Sequence, residues 1–357
     1  MAQDLKEGNH RLFRRFWACA SGFWKAKSAR VSWALTAALI GIALAQLTVQ
    51  YRLNYWNRDF FNALGRRDAD RLWQEVLMFA PLAFLSISLS VASVWGRMTT
   101  QRKWREWLTK HLLALWLTGD RYRRLKFVTG EFQNAEYRIS VDARIATDAP
   151  VDMALGLFAA VATAAVFVDV LWAVGGSLTL MVGGHEVTIP GYLVLGVCLY
   201  ALLFTTATMA IGRKLPVIIQ SENQAKAEML AAASRIRESG DAVAATGTAP
   251  AERSPVWQAL RQVLERWRQV CWQLMGTTMV SQTDLLLAPV FAWVLCAPKY
   301  LAGAMTLGEL TQAAAAFVTV QTAFNWLVDN FQKLSDWRAA TNRVAALLLA
   351  LDQVGDG

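Results

Sequence analysis

The sequence predicts an all-α integral membrane protein with six transmembrane helices. Of its 357 residues, 55% are hydrophobic and only 18% are charged, whereas soluble domains carry about 25% charged residues. Apolar stretches recur along the chain, each long enough to cross a hydrocarbon core of about 30 Å. The mean hydropathy of +0.28 agrees with this interpretation. Together these observations exclude a soluble enzyme.

Six apolar stretches define the predicted spans. Residues 153–185 are interrupted by one charged side chain, Asp169, and residues 273–298 by one, Asp284. The predicted transmembrane helices are residues 31–51, 75–97, 151–176, 187–212, 273–298 and 305–328. The predicted domains are a tail with an interfacial elbow helix at 1–30, a transmembrane domain at 31–345 and a C-terminal tail at 346–357.

Basic residues predict the orientation of these helices. Lys and Arg together number seven in residues 1–30, eleven in 97–150 and nine in 213–272. The positive-inside rule therefore places both termini and both long loops in the cytoplasm. Five arginines in residues 52–73 run mildly against the rule. The net charge of +9 follows from this topology, so we expect no nucleic-acid partner.

Residues 11–30 interleave basic and aromatic side chains, a pattern typical of a helix lying at the lipid headgroups. A partly disordered tail is the alternative. After span 2, aromatic and leucine residues at three- and four-residue spacing predict that the helix continues into the cytoplasm and breaks at Gly119 and Asp120. Residues 213–272 follow the same plan, with a second pair of long helices.

Catalytic and metal-binding patterns are missing from the sequence. The four cysteines are scattered and the three histidines lie far apart. No HExxH, GxSxG or GxxxxGK[ST] motif occurs. We therefore expect no enzyme activity, no catalytic residues, no metal and no cofactor in this chain. ATP would enter only through a separate nucleotide-binding subunit.

Several segments carry a resemblance to a known family. They are RKWREWLTKHLLALWL at 102–117, NAEYRISVDARIATD at 134–148, GRKLP with ENQAKAE at 212–228, SRIRESGDAVA at 234–244 and the nearly continuous match at 297–351. The chain resembles the SbmA/BacA-like peptide transporters and the membrane domains of related YddA-type ABC half-transporters. The likeness covers nearly the whole chain from about residue 11.

The resemblance implies a six-helix, type 1 ABC exporter-like domain and a homodimer, with domain swapping expected. It implies alternating access in the bacterial inner membrane, with peptides or peptide-like compounds such as antimicrobial peptides and bleomycin-like molecules as cargo. SbmA-like members use the proton gradient, whereas YddA-like members carry an ATPase domain, which we do not expect here. The alternatives are the permease part of an ABC system with a separate ATPase, and a non-transporting scaffold.

Four carboxylates are candidates for proton coupling or for lining a cavity. Asp169 and Asp284 lie within spans, where a carboxylate is costly and is functional by default. The alternatives are a paired Asp169 without a transport role, and an Asp284 bonded to Ser281, Gln282 or a neighbouring helix. For Glu309, a capping box with Thr306 is the favoured explanation. Asp329 is expected to share a helix face with Lys333 and Asp336, either as ion pairs or at the cavity mouth.

The family's ATPase-coupling elements match two segments of the long loops. The resemblance makes these residues candidates for a coupling loop: Glu136, Arg138, Asp142, Arg235, Arg237 and Glu238. In the first segment Ala135, Glu136 and Tyr137 stand where the family has Pro-Asp-Gln. Further acidic loop residues that could attract cationic cargo are Glu131, Asp148, Glu222 and Glu228.

Overall fold

A computed structural model describes residues 14–25, 29–125, 134–182, 185–238 and 249–355. The fold is all-α, as predicted. Residues 14–20 are helical. The further helices are α1 (Gly22–Lys25), α2 (Ala29–Arg66), α3 (Ala69–Leu117), α4 (Arg121–Arg124), α5 (Ala135–Tyr137), α6 (Ala143–Gly175), α7 (Tyr192–Gly212), α8 (Leu215–Glu238), α9 (Ala249–Leu301), α10 (Leu307–Asp329) and α11 (Phe331–Gly355).

Two short helical segments of other types join these elements. A 3₁₀ turn at Thr118–Asp120 ends α3, and both Gly119 and Asp120 have positive φ there. The predicted break at these two residues is confirmed. A π-helical segment, Arg138–Asp142, leads into α6. Such segments often stand at functional sites.

Within the part of the chain that the structure describes, five helical runs are long and apolar enough to cross a membrane, judged by length and composition. They are Ala29–Arg66, Ala69–Arg124, Ala135–Gly175, Tyr192–Glu238 and Pro255–Leu301. The predicted sixth span, now α10, is not among them, so the count of six is not confirmed. Its amide residues Gln312, Gln321 and Asn325 lower the hydropathy of an otherwise apolar helix.

The segment between the predicted spans 1 and 2 is helical rather than a loop. Helix α2 continues to Arg66, and the chain reverses at Arg67, whose φ is +56°. The Asp68 side chain then caps α3 by accepting a hydrogen bond from the Arg71 amide at 3.1 Å. The reversal therefore needs only two residues.

A β-hairpin between α6 and α7 was not predicted. Strand β1 (Ser177–Val182) pairs antiparallel with β2 (His185–Pro190), in a register that joins Ser177 to Pro190. Gly176 and Gly191 flank the hairpin with positive φ, which glycine adopts without strain. Helix α7 consequently begins at Tyr192, later than the predicted start of span 4 at residue 187.

Contacts divide the chain into two compact units, which are described separately. Unit 1 comprises residues 1–194 and 293–357, and unit 2 comprises residues 195–292. The boundaries fall within α7 and α9. Within unit 2, the Tyr200 ring of α7 contacts the Phe291 ring of α9 at a centroid distance of 5.2 Å.

The largest apolar core of unit 1 lies beside the N-terminal helical residues. Phe16 and Phe23 pack there with Trp104 of α3, at a distance of 6.3 Å between the Phe23 and Trp104 rings. The start of α6 and the C-terminal half of α11 complete this core, with Leu347, Leu348 and Leu351 wholly buried or nearly so. This core explains why the N-terminal segment is aromatic as well as basic.

Helices α2 and α10 approach each other closely at Gly308. The Gly308 amide donates a hydrogen bond to the Asn62 side chain at 3.0 Å. A Cβ atom at position 308 would lie 2.0 Å from the Arg58 carbonyl oxygen. Only glycine therefore permits this contact.

Candidate functional site

In unit 2, Asp284 is buried within the longest apolar part of α9. It is 8% exposed. The Tyr200 hydroxyl of α7 donates to its main-chain oxygen at 3.0 Å and also interacts with its carboxylate. A contact to a neighbouring helix, one of the alternatives left open by the sequence, is therefore present, and a role in proton coupling stays a prediction. A carboxylate held in this way inside an apolar span is a candidate proton site.

In unit 1, Asp169 has a different environment. It is exposed on α6 and lies within electrostatic reach of Tyr55 on α2. The Tyr51 ring lies beside that of Tyr55, with 4.7 Å between the ring centroids. The Arg58 guanidinium lies 4.8 Å from the Tyr55 ring centroid. Asp169 thus belongs to a surface group with two tyrosines and one arginine.

A polar cleft of about 590 Å³ lies where α2, α3 and α10 meet in unit 1. Arg58 forms an ion pair with Asp59 at 2.9 Å within it. The cleft is lined by Arg58, Asp59, Asn62, Ala63, Arg66, Arg71, Gln74, Glu75, Thr306 and Glu309. Three of the five arginines that run against the positive-inside rule therefore share one polar surface.

Glu309 forms the capping box that its spacing predicts. Its carboxylate accepts from the Thr306 amide at 2.8 Å, and the Thr306 hydroxyl accepts from the Glu309 amide at 3.2 Å. The capping box is confirmed. A role of Glu309 in proton coupling stays a prediction.

Buried amide side chains were missed by the sequence analysis. Gln312 of α10 is wholly buried. Among the described residues, neither its side-chain nitrogen nor its oxygen has a hydrogen-bond partner. The Asn54 amide of α2 donates to the Gln312 main-chain oxygen at 3.2 Å. The sequence does carry a signal for these buried amides, because Gln312, Gln321 and Asn325 recur in an otherwise apolar stretch.

Charged residues also bridge α3 and α6. Gln101 donates to the Asp152 carboxylate at 2.7 Å, and Arg97 lies 3.3 Å from the same group. One turn away, Arg105 lies 3.9 Å from Asp148. Burial raises the pKa of Asp148 although Arg105 opposes the shift. This polar face fixes the two helices to each other.

The coupling-loop candidates of the first segment separate into buried and exposed residues. Arg138 and Asp142 are buried. Asp142 accepts two hydrogen bonds from Arg343 of α11, at 2.7 and 2.9 Å. Glu136 is exposed. Arg343 had no signal in the sequence, since 201 residues separate it from Asp142.

The second coupling segment lies in unit 2. Arg235, Arg237 and Glu238 are exposed at the C-terminal end of α8. Farther up the same helix, Glu222 is buried and forms an ion pair with Lys226. Glu228 accepts a hydrogen bond from Gln224 at 3.2 Å. Arg235, Arg237 and Glu238 stay candidates for contact with another protein.

The helix carrying Asp329 ends at that residue. Asn330 interrupts the helix, and α11 begins at Phe331. Lys333 donates to the Asn330 side chain at 3.2 Å, and Asp336 accepts from Gln332 at 3.0 Å. The shared face expected for Asp329, Lys333 and Asp336 stays a prediction. Glu131 lies outside the described residues.

The described parts of the chain hold no group of three or more His, Cys, Asp or Glu side chains that could bind a metal ion.

Comparison with known proteins gives one consistent family. The profile of ABC transporter transmembrane region 2 matches residues 25–301. The inner membrane ABC transporter ATP-binding protein YddA of Escherichia coli is 25% identical over 93% of this chain and 60% of its own length. An uncharacterized ABC transporter ATP-binding protein of Synechocystis is 26% identical over 88% of this chain and 46% of its own length.

A plant protein falls in the same group. ABC transporter D family member 2, chloroplastic, of Arabidopsis thaliana is 21% identical over 96% of this chain and 46% of its own length. The chain thus spans about half to three fifths of the length of these relatives. The family match confirms the resemblance seen in the motifs, and transport across a membrane is the common function. This multi-pass membrane protein belongs to the ABC transporter transmembrane region 2 family, the family of the SbmA/BacA-type transporters.

Proposed function

We propose that this chain moves peptides or peptide-like compounds across the bacterial inner membrane by proton-driven alternating access. The observation that carries the proposal is the burial of Asp284 beside Tyr200 in a membrane-spanning helix. A carboxylate in that position can take up a proton and lose its charge. Loss of charge removes the cost of burial, which gives a driving force for a conformational change.

Cargo recognition in this proposal rests on electrostatics. Asp169 is exposed in an otherwise apolar span, and a carboxylate there attracts cationic peptides. The polar cleft between α2, α3 and α10, which contains Arg58, Asp59 and Glu309, offers both charge signs to a peptide. Peptides carry both charges and backbone amides, so they match such a surface better than a purely apolar compound does.

A homodimer with both termini in the cytoplasm completes the proposal. Division of the chain into two compact units supports a domain-swapped pair, because a unit with its own contacts can pack against a second copy. The excess of basic residues in residues 1–30, 97–150 and 213–272 supports the orientation.

The second candidate is the permease part of an ABC transporter. Two of the three relatives described above are named ABC transporter ATP-binding proteins, and this chain spans 46% to 60% of the length of the three. In that case ATP hydrolysis on another part of the protein, or on another chain, drives the cycle. The exposed residues Arg235, Arg237 and Glu238 would then be available to contact the ATPase.

One transport assay separates the two candidates. The purified chain is reconstituted into proteoliposomes, and uptake of a labelled proline-rich peptide is measured with an imposed pH gradient as the only energy source. We expect uptake that follows the gradient and stops on addition of a protonophore. No uptake from a protein shown to be a folded dimer would contradict proton coupling. Uptake that requires ATP and a second polypeptide would establish the ABC alternative.

A further inference from the structure

A narrow apolar cleft of unit 1 lies apart from the polar sites. Its volume is about 250 Å³, below the range of about 300–1,000 Å³ that is usual for drug-sized ligands. The lining comes from the N-terminal helical residues and from α2, α3 and α6. The lining residues are Trp17, Trp24, Thr36, Leu39, Ile40, Thr100, Trp104, Pro150, Val151, Ala154, Leu155 and Phe158. A slender apolar chain suits this volume better than a folded peptide does.

The cleft runs from the expected membrane surface into the hydrocarbon region. Trp104 and Pro150 lie just outside the predicted spans 75–97 and 151–176. Leu39 lies eight residues inside span 31–51, which is about 12 Å along a helix. Ile40 and Phe158 are partly exposed where the cleft opens. A lipid acyl chain occupies this same range of depth.

One lining residue, Trp104, carries a buried polar atom that lacks a hydrogen-bond partner among the described residues. Trp104 is only 1% exposed, and among the residues that the structure describes its indole N–H has no hydrogen-bond acceptor. The neighbouring indole of Trp24 donates to the Thr36 hydroxyl at 3.4 Å and is satisfied. A buried donor without an acceptor is costly. An ester or phosphate oxygen of a lipid supplies the acceptor.

Two exposed basic residues lie close in sequence to residues that line the cleft. Lys25 follows the lining residue Trp24, and Arg30 precedes span 1; both are exposed. The carboxylates nearest in sequence to the lining residues Pro150 and Val151 already contact arginines: Asp148 lies beside Arg105 and Asp152 beside Arg97. The basic charge of Lys25 and Arg30 therefore favours an anionic headgroup.

We propose that this cleft binds one acyl chain of an anionic phospholipid from the leaflet on the N-terminal side, with the Trp104 indole donating to the lipid's polar oxygens. Lys25 and Arg30 attract the headgroup. The site goes beyond the transport function and does not depend on the identity of the cargo or on the energy source.

Native mass spectrometry of the detergent-purified, delipidated chain tests the proposal. The probes are dioleoyl phosphatidylglycerol, which is anionic, and dioleoyl phosphatidylcholine, which has no net charge. We expect one tightly bound phosphatidylglycerol per chain and weaker binding of phosphatidylcholine. Ala154→Phe places a ring in the cleft and should reduce that binding about tenfold or more. Val161→Phe on the same helix is the control, because Val161 is 62% exposed and lies outside the cleft.

Two gentler substitutions keep the test decisive if Ala154→Phe fails to fold. Trp104→Phe keeps an aromatic ring but removes the N–H, and should weaken binding about five- to tenfold. Trp107→Phe is its control, since Trp107 does not line the cleft. Lys25→Gln with Arg30→Gln should remove the preference for phosphatidylglycerol. Wild-type lipid binding in a folded Ala154→Phe variant, or in both gentler variants, would overturn the proposal.

Discussion

Arg343 of α11 donates two hydrogen bonds to the carboxylate of Asp142, at 2.7 and 2.9 Å, and so joins the C-terminal helix to the π-helical start of α6. The Asp142 side chain is 1% exposed and that of Arg343 is 44% exposed. A two-pronged contact of this kind requires the planar guanidinium of arginine. The pair therefore fixes the position of the helix that ends the described chain.

Breaking this pair is expected to destabilise unit 1. Asp142→Asn removes the charge at nearly constant shape, and Arg343→Lys removes the paired geometry. Loss of one partner of a fully buried pair costs about 3–5 kcal/mol; because Arg343 is partly exposed, we expect about 2 kcal/mol in the free energy of unfolding. Thermal unfolding in detergent measures the change. Glu106→Gln is the control: its exposed ion pair with Lys110 lies apart from the Asp142–Arg343 pair, so this variant should behave like wild type.

Gly308→Ala is expected to force α10 away from α2. The added methyl group would lie 2.0 Å from the Arg58 carbonyl oxygen and 2.6 Å from the Asn62 side chain. Main chain cannot move aside as a side chain can, so we expect a loss of about 3 kcal/mol or a failure to fold.

Gly41→Ala is the matched control for that substitution, because no atom lies within 4 Å of its added methyl group. Both variants are compared by expression level and thermal unfolding. Equal stability of the two alanine variants would show that α2 and α10 are not in close contact at Gly308.

The capping box separates two roles for Glu309. Thr306→Ala removes the side chain that accepts from the Glu309 amide, and loss of such a cap costs about 1 kcal/mol. Glu309→Gln keeps a side chain that can fill the same cap but cannot carry a proton. If Glu309 only caps α10, Glu309→Gln leaves both stability and transport unchanged. Lost transport at normal stability would instead assign Glu309 to proton coupling.

Features encoded in neighbouring residues were predictable from the sequence. The apolar runs, the break at Gly119 and Asp120 and the capping box of Thr306 and Glu309 each depend on residues within one or a few helical turns. Helix α2 extends past the predicted span because its polar C-terminal half still favours helix and only Arg67 and Asp68 reverse the chain.

Contacts between distant segments could not be predicted. Asp142 and Arg343 are 201 residues apart, and Asn54 and Gln312 are 258 residues apart. A charge or amide pattern in one helix does not reveal which side chain faces it. The β-hairpin was missed for another reason: an apolar run of this length next to a span has no helical or strand periodicity strong enough to decide.

Cys19 provides a test of burial in the N-terminal helical segment. Removal from water, aided by the Asp352 carboxylate and opposed by Arg15, raises the pKa of the Cys19 thiol to about 11. At pH 8 only about 0.1% is thiolate, the reactive form. Alkylation of Cys19 should therefore be slow at pH 8 and accelerate about tenfold per pH unit up to the pKa. Mass spectrometry of the Cys19 peptide measures the rate.

The same chain unfolded in SDS is the control for Cys19, because an unperturbed thiol has a pKa of about 8.5. It should be alkylated rapidly at pH 8. Fast labelling of the folded chain at that pH would mean that the N-terminal helical residues do not pack on Trp104.

In the proposed proton-driven mechanism, Asp284 is the residue on which transport depends most directly. Asp284→Asn keeps the shape of the side chain and its place beside Tyr200 but removes the titratable group. If Asp284 carries the proton, gradient-driven uptake into proteoliposomes falls at least about tenfold, while expression, dimer content and thermal stability stay near wild type.

Tyr200→Phe distinguishes a proton-carrying Asp284 from one with a structural role. It removes the hydroxyl that donates to the Asp284 main-chain oxygen at 3.0 Å but leaves the carboxyl group in place. Under proton coupling, uptake by Tyr200→Phe persists with a shifted pH dependence, because the surroundings of the carboxyl group have changed. If Asp284 serves only to hold α9 against α7, both variants lose stability together and their remaining uptake shows the wild-type pH dependence. Unchanged uptake by Asp284→Asn would rule out Asp284 as the coupling residue and leave Asp169→Asn as the next variant to measure.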